Sequence, residues 1–381
     1  MHVALVALAV VRFALRLEVG PELDTNANRA ERYLVVGSVA PDPIPSLLAR
    51  GTAQGALAWS AGPSTLRLSA TVAGKLFFGD LARRPEPAAQ GDRDRTLAAQ
   101  NVVVIQAAAD ESVRLGRRLL LGLGGDYYEA FQPLGCPPIA GAADTSCHRD
   151  LRSGAPRLAG TLFVGPVDLA LAGGGRLLDW KPDDSFSFRG AFAHFGAVAH
   201  LRSGPAEDES EWDLGLSGRF EWRRYLGPRL VGATDPGSAL AARREDLEGL
   251  LTASLAHVGR VLGEVSYTLD YNGSTSYGQS FLRHLLSLKV ACDLPGQITA
   301  TLRVQLVYTG FTQAATFNAG TPVPVSIEDQ NRDTLLLDLE RPMGRGFALA
   351  GRYTVIRNGS GNAPIDYLRH LVYLGVTYRL R

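Results

Sequence analysis

Histidine and acidic residues are the first candidates for chemistry in this sequence. His194 and His200 lie six residues apart in AHFGAVAH, and PAEDESE at 205–211 is strongly acidic. On a strand that rises about 3.3 Å per residue, the two histidines share a face but lie about 20 Å apart. They are therefore not expected to share a metal ion. The acidic segment is interpreted as a solvated loop rather than a cation site, so no metal site is predicted.

Common catalytic motifs do not occur in the chain. There is no G-x-S-x-G, H-E-x-x-H, C-x-x-C or P-loop pattern. A Ser–His–Asn site assembled from several strands is the remaining enzymatic alternative. We therefore expect no enzyme activity, no catalytic residues and no cofactor. The chain has 39 Lys and Arg against 38 Asp and Glu, a net charge of +1, and this balance predicts no nucleic-acid partner.

Residues 261–271, VLGEVSYTLDY, show the pattern that organises the whole chain. The odd positions are apolar, aromatic or glycine, whereas the even ones include Glu264, Ser266, Thr268 and Asp270. Alternation with a period of two indicates a strand with one apolar and one polar face. Many such segments have ten or more residues, and a strand needs only about 9–11 to cross a bilayer. About sixteen segments alternate in this way, near 13–26, 51–60, 64–79, 96–111, 117–131, 151–164, 167–181, 185–202, 211–226, 246–258, 260–273, 279–291, 297–311, 333–341, 346–358 and 367–380.

The connections between these segments alternate between short and long. Tight Gly- or Pro-rich turns such as 61–64 and 165–167 alternate with long polar stretches such as 27–50, 85–95 and 312–332. No window holds 18 uncharged apolar residues, so a helical membrane protein is not expected. A large soluble all-β protein is the alternative, but apolar faces of this length and number are hard to bury in water. The pattern predicts an all-β, transmembrane antiparallel up-and-down β-barrel of about 16 strands, with short periplasmic turns, long extracellular loops and both termini in the periplasm.

The chain is predicted to be one barrel over 13–381, preceded by a short leading segment. Residues 1–12 hold the longest apolar run and are interpreted either as the remnant of a signal peptide or as part of a first strand. Cys136 and Cys147 bracket a Pro- and Gly-containing stretch and are a candidate disulfide, with two free thiols as the alternative. Cys292 is left unpaired.

These patterns resemble the outer-membrane β-barrel proteins of Gram-negative bacteria. The terminal HLVYLGVTYRLR resembles the last strand that the barrel-assembly machinery recognises, although it ends on Arg381 rather than an aromatic residue. The run from Gly20 to Asn26, GPELDTN, resembles the first strand of barrels that export polysaccharides or surface lipoproteins. The resemblance implies an integral outer-membrane location. Its implied partners are outer-membrane lipid and lipopolysaccharide, the barrel-assembly machinery and, for an exporter, a periplasmic export partner.

Charged residues on the polar faces are the candidate lumen lining. A barrel of this size is wide enough for an aqueous channel, which an inward-folded loop such as 312–332 could constrict. The expected function is a passage for diffusion or export through a charged, hydrated lumen. The alternatives are the barrel component of a polysaccharide or surface-protein export system, and a closed barrel that anchors surface loops for adhesion or recognition. The candidate lumen residues are Glu18, Arg67, Lys75, Arg219, Glu221, Arg223, Glu264, Asp270, Arg303, Asp338, Glu340, Arg352 and Arg379.

Overall fold

Sixteen antiparallel strands close into one barrel in the part of the chain that the structure, a computed structural model, describes. Each strand pairs with its neighbours in sequence, and the first strand pairs with the last. The predicted up-and-down barrel of sixteen strands is therefore confirmed. The described residues are 10–27, 43–82, 87–98, 100–133, 150–181, 186–203, 210–228, 243–312, 332–359 and 367–380.

The strands are long, from 12 residues in the shortest to 19 in the longest. That exceeds the five or six residues typical of soluble sheets and is enough to cross a bilayer at a tilt. In chain order they are β1 (Val10–Asp24), β2 (Ser46–Ala61), β3 (Ser64–Asp80), β4 (Val102–Leu115), β5 (Leu119–Phe131), β6 (Leu151–Val164), β7 (Val167–Trp180), β8 (Phe188–Ser203), β9 (Ser210–Pro228), β10 (Arg243–Val258), β11 (Val261–Ser274), β12 (Phe281–Leu294), β13 (Ile298–Phe311), β14 (Arg332–Gly344), β15 (Phe347–Asn358) and β16 (Tyr367–Leu380).

The distribution of polar and apolar side chains is inverted relative to a soluble protein. Leu158, Leu171 and Tyr308 are each about two-thirds exposed, at 66%, 67% and 65%. In contrast, Asp24 and Glu221 are fully buried. Apolar side chains face outward along the strands and charged ones face inward, as expected where hydrocarbon rather than water surrounds the barrel.

The two ends of the barrel differ in the length of their connections. At one end, here called the short-turn end, most pairs of strands are joined by two or three residues, as at 62–63 and 165–166. Gly62 and Gly165 have φ values of +59° and +60°, which glycine adopts at no steric cost. The first described residue of β1 and the last of β16 lie at this end, beside the turns. The other end, the long-loop end, carries the longer connections.

The predicted start of the fourth strand is wrong, because a helix precedes it, and the second strand begins five residues earlier than expected, at Ser46. Part of the segment 85–95, expected to be a polar loop, belongs to α1 (Pro87–Ala98), and β4 begins at Val102 rather than near residue 96. Leu97 of α1 is buried with Ala27 and Ile44, and Phe77 packs against this group. This contact joins residues that are far apart in the chain. It stabilises the helix, but no local sequence pattern indicates it. The described residues contain no helix that is long and apolar enough to span a membrane.

Some sequence-based expectations concern residues outside the described ranges. These include the leading residues 1–9, the cysteines Cys136 and Cys147, and nearly all of the connection 312–332. β1 begins at Val10, three residues earlier than expected. Cys292 lies on β12 as a free thiol.

Candidate functional site

Ion pairs between strands that are not neighbours identify the inner face of the barrel. Arg352 on β15 donates to Glu18 on β1 across β16, over 3.3 Å. Lys75 on β3 donates to Glu22 on β1 across β2, over 2.5 Å. Side chains from separated strands converge on the concave side of a closed sheet, so these residues line the lumen.

A network of acids and arginines crosses the seam where the barrel closes. This seam cluster comprises Arg16, Glu18, Asp338, Glu340, Arg352 and Arg379. Arg352 lies between two carboxylates, with its Nη2 3.2 Å from Asp338. Arg379 donates to Glu340 over 2.6 Å, and Arg16 lies 3.6 Å from the same carboxylate. The cluster therefore links β14, β15, β16 and β1 along the inner wall.

A cavity of about 260 Å³ opens beside the seam cluster. Four arginines but only two acids border it, so its charge is positive. Tyr373 on β16 lies between two of these arginines, with its ring centroid 5.8 Å from Arg50 and 5.5 Å from Arg352. Its ring is only 1% exposed and supports both guanidinium groups. The residues that line the cavity are Arg16, Glu18, Arg50, Thr52, Gln54, Arg303, Leu336, Asp338 and Arg352.

A second network lies eight strands away, on the opposite wall. This far-wall cluster comprises Arg176, Arg219, Glu221, Arg223 and Glu248. Oε2 of Glu221 lies 3.5, 2.5 and 3.1 Å from the three arginines in chain order. Arg223 also donates to Glu248 on β10. One fully buried carboxylate therefore holds three cations, and the cluster as a whole has an excess of positive charge.

Aromatic rings on the inner face support the arginines of this wall. The guanidinium of Arg219 lies 5.0 Å from the ring centroid of Phe192, and that of Arg223 lies 5.3 Å from Phe188. Arg–aromatic stacking restrains long side chains that would otherwise move freely in a wet lumen. The cations of the far wall are consequently held in fixed positions along the lumen.

The structure brings together most of the thirteen residues proposed as lumen lining. Glu18, Asp338, Glu340, Arg352 and Arg379 meet in the seam cluster, and Arg219, Glu221 and Arg223 meet in the far-wall cluster. Lys75 pairs with Glu22, and Asp270 pairs with Arg283 at 3.4 Å. Three have no ion-pair partner among the described residues, namely Arg67, Glu264 and Arg303. Arg303 instead borders the basic cavity.

The sequence-based selection missed several lumen residues for an identifiable reason. Arg50 and Arg244 lie just before the expected starts of their strands, at 51 and 246. Both belong to strands, and the pairing of β10 with β9 is irregular at Arg244. Glu22 and Asp24 share the polar face of β1 with Glu18, and their burial to 1% and 0% follows from ion pairs across the seam and with β2 and β3. Continuing the alternation back from residue 51 would have found Arg50. Glu22 and Asp24 already lie within the expected segment 13–26, on its polar face.

A third charged group lies inside the lumen at the short-turn end. This mouth cluster comprises His200 on β8, Asp168 on β7, and Glu211 and Asp213 on β9. His200 Nδ1 lies 2.6 Å from Asp213 and 3.9 Å from Glu211, while Nε2 lies 3.3 Å from Asp168. His200 therefore has carboxylates, and not His194, as its neighbours.

Comparison with known proteins gives structural similarity without sequence relatives. No protein-family model and no curated protein matches this sequence. OccAB1 of Acinetobacter baumannii matches at 10% identity over 97% of each chain, with a TM-score of 0.49. A loop L8 deletion mutant of OmpT, an outer membrane protein of Vibrio cholerae, matches at 10% identity over 98% of this chain and 99% of that one, with a TM-score of 0.45. A bacterial polysaccharide outer membrane secretin matches at 10% identity over 96% and 98%, with a TM-score of 0.44. The barrel fold that the sequence resemblance implied is confirmed by the strand pairing, which closes sixteen strands into one barrel.

Proposed function

We propose that this barrel is a passage for small hydrophilic solutes across the bacterial outer membrane, with a preference for anions. The observation that carries the proposal is the basic cavity on the inner wall, where Arg16, Arg50, Arg303 and Arg352 face only two acids. Barrels of about 16 strands leave room for an aqueous channel. The exposed apolar face supports integral insertion, and the loop lengths favour a periplasmic short-turn end with both termini on that side.

In this passage, fixed charges on the lumen wall would attract a solute of opposite charge as it moves through the water-filled lumen. Arginines paired with carboxylates in the seam and far-wall clusters keep their positions, so they present a stable field to a passing ion. An anion would be attracted to Arg303, which has no ion-pair partner among the described residues, and to the net positive charge of the far-wall cluster. Both signs of charge line the lumen, so selectivity is expected to be modest rather than absolute.

Single-channel recording in a planar bilayer tests this proposal. The refolded barrel is expected to give steady conductance steps, with a reversal potential in a KCl gradient that shows chloride passing more readily than potassium. Arg303→Ala should reduce this preference because it removes a cavity cation that has no ion-pair partner in the described part of the chain. Arg189→Ala is the matched control, since Arg189 is exposed on the outer face near the long-loop end, and it should leave the preference unchanged.

A folded barrel that gives no conductance would contradict the passage and favour a second function. The seam and far-wall clusters cross-link neighbouring strands from inside, which suits a closed barrel that anchors surface loops. Heat-dependent mobility on gels would establish that the silent protein is folded. An export role depends on the Gly20–Asn26 run, and in the structure Gly20 and Asp24 contact β16 at the seam. These contacts give the run a role in closing the barrel that requires no exported substrate.

A further inference from the structure

The mouth cluster gathers three carboxylates around one imidazole inside the lumen. His200 contacts Asp168, Glu211 and Asp213, which lie on the two strands that pair with β8. Carboxylate oxygens and a histidine nitrogen are ligands that divalent transition-metal ions accept. The cluster therefore brings metal-ligating side chains together within the lumen.

Three potential ligand atoms of the cluster already converge. His200 Nδ1 and carboxylate oxygens of Glu211 and Asp213 all lie within 4.8 Å of one another. Ligands about 2.0–2.2 Å from a tetrahedral zinc ion are about 3.3–3.5 Å apart. The observed separations from Nδ1, 2.6 Å to Asp213 and 3.9 Å to Glu211, bracket that value. Small side-chain rotations would therefore bring the three atoms to coordination distance.

The second ring nitrogen of His200 supplies an independent indication of a metal ligand. Its Nε2 lies 3.3 Å from Asp168 on β7, on the opposite side of the ring from the other two acids. A carboxylate at the distal nitrogen fixes the orientation and tautomer of histidines that bind metals. The register supplies this partner because β7 and β9 both pair with β8.

We propose that His200 Nδ1, Asp213 and Glu211 bind a divalent transition-metal ion such as Zn²⁺ at the short-turn mouth, with Asp168 as a positioning residue. The mixed nitrogen and oxygen ligands favour zinc and similar ions over calcium or magnesium, which prefer oxygen alone. The four side chains are about one-third exposed, so an ion can enter from the lumen, and a fourth coordination position faces water. Binding displaces the proton that Nδ1 shares with Asp213 and ties β8 to β9. The proposed metal site does not depend on whether the barrel conducts ions.

Zinc titration of the tag-free refolded barrel by calorimetry tests the site. One ion per chain is expected, with Ca²⁺ and Mg²⁺ failing to compete. His200→Ala should abolish this binding. Asp168→Asn should weaken it by about tenfold to a hundredfold, because it removes the partner that orients the ring. His194→Ala is the matched control, since His194 lies on the same strand six residues away, and it should bind zinc as the parent does.

Three outcomes would overturn the site. They are no zinc binding by the parent barrel, binding that survives His200→Ala, and equal loss in His194→Ala. If His200→Ala does not give a heat-modifiable, folded barrel, Asp213→Asn replaces it, because that change keeps the size of the side chain. Visible absorption of bound Co²⁺ gives a second readout. A tetrahedral spectrum in the parent barrel that is absent in the variant supports the site, and an octahedral aquo-ion spectrum in both contradicts it.

Discussion

Arg369 on the last strand forms a buried bidentate contact with Asp24 on the first, its Nε lying 2.9 and 3.0 Å from the two carboxylate oxygens. Asp24 is fully buried, and its Oδ1 also accepts a hydrogen bond from the backbone N–H of Asn26 over 3.0 Å. The pair lies at the long-loop end of the seam between β1 and β16. It therefore joins the two ends of the sheet where the barrel closes.

Asp24→Asn is expected to destabilise the barrel, because Arg369 would keep a buried charge without a countercharge. Losing one partner of a buried ion pair costs about 3–5 kcal/mol. Urea unfolding in lipid vesicles measures the free energy of unfolding. Asp179→Asn is the matched control, since Asp179 pairs with Arg152 where both side chains are exposed, at 42% and 59%, and its cost should stay below about 1 kcal/mol. Equal losses in the two variants would contradict a special role for the seam pair.

Gly20→Ala is expected to disturb the same seam by steric overlap. A Cβ at position 20 would lie 2.1 Å from the carbonyl oxygen of Leu374 and 2.6 Å from Cα of Gly375 on β16. Overpacking of this kind costs about 1–3 kcal/mol. Gly55→Ala on neighbouring β2 is the control, because nothing lies within 4 Å of its added methyl. The folded yield on gels should fall only for Gly20→Ala, and an unchanged yield would argue against close packing at the seam.

Glu221→Gln is expected to make the lumen more anion-selective and the barrel less stable. The change leaves Arg176, Arg219 and Arg223 without their shared carboxylate, although Arg223 keeps Glu248. Reversal potentials should shift toward chloride, and the midpoint of urea unfolding should fall. Glu264→Gln removes the same charge from an exposed inward position with no ion pair in the described part of the chain, so its midpoint should be unchanged. A loss of stability in both variants would indicate that charge number, rather than the cluster, controls folding.

Leu97→Ala is expected to loosen α1 while leaving the barrel closed. Leu97 is 1% exposed and packs with Ala27 and Ile44, and truncating a buried leucine costs about 2–5 kcal/mol. Because this contact holds only the helix, faster hydrogen exchange or proteolysis is expected within 87–98 and not in the strands. Leu81→Ala, at a residue that is 54% exposed, is the control. If residues 87–98 are equally protected from hydrogen exchange and proteolysis in the two variants, α1 does not depend on Leu97.

The mouth cluster shows why the candidate sites could be predicted only in part. Alternation along a strand determines the face on which a residue lies, and it places Asp270 and Glu264 on the face opposite their apolar neighbours. It does not determine register, so the meeting of His200 with Asp168 and Asp213 could not be predicted. These three residues belong to different strands, and they lie at the same height in the barrel only because of the register in which β7, β8 and β9 pair.

The sequence alone determined the barrel, the number of strands and the inward placement of charge, because a period of two and the length of each run are local properties. The helix α1 could not be predicted from the sequence, because burial of Leu97 against distant Ala27 and Ile44 stabilises a segment whose local pattern is polar. Tertiary structure alone decided which charges meet. Closure brings Arg352 to Glu18 and Arg369 to Asp24 from opposite ends of the chain. The physical reason is that side chains converge on the concave face of a closed sheet, where pairing depends on register and curvature and not on spacing along the chain.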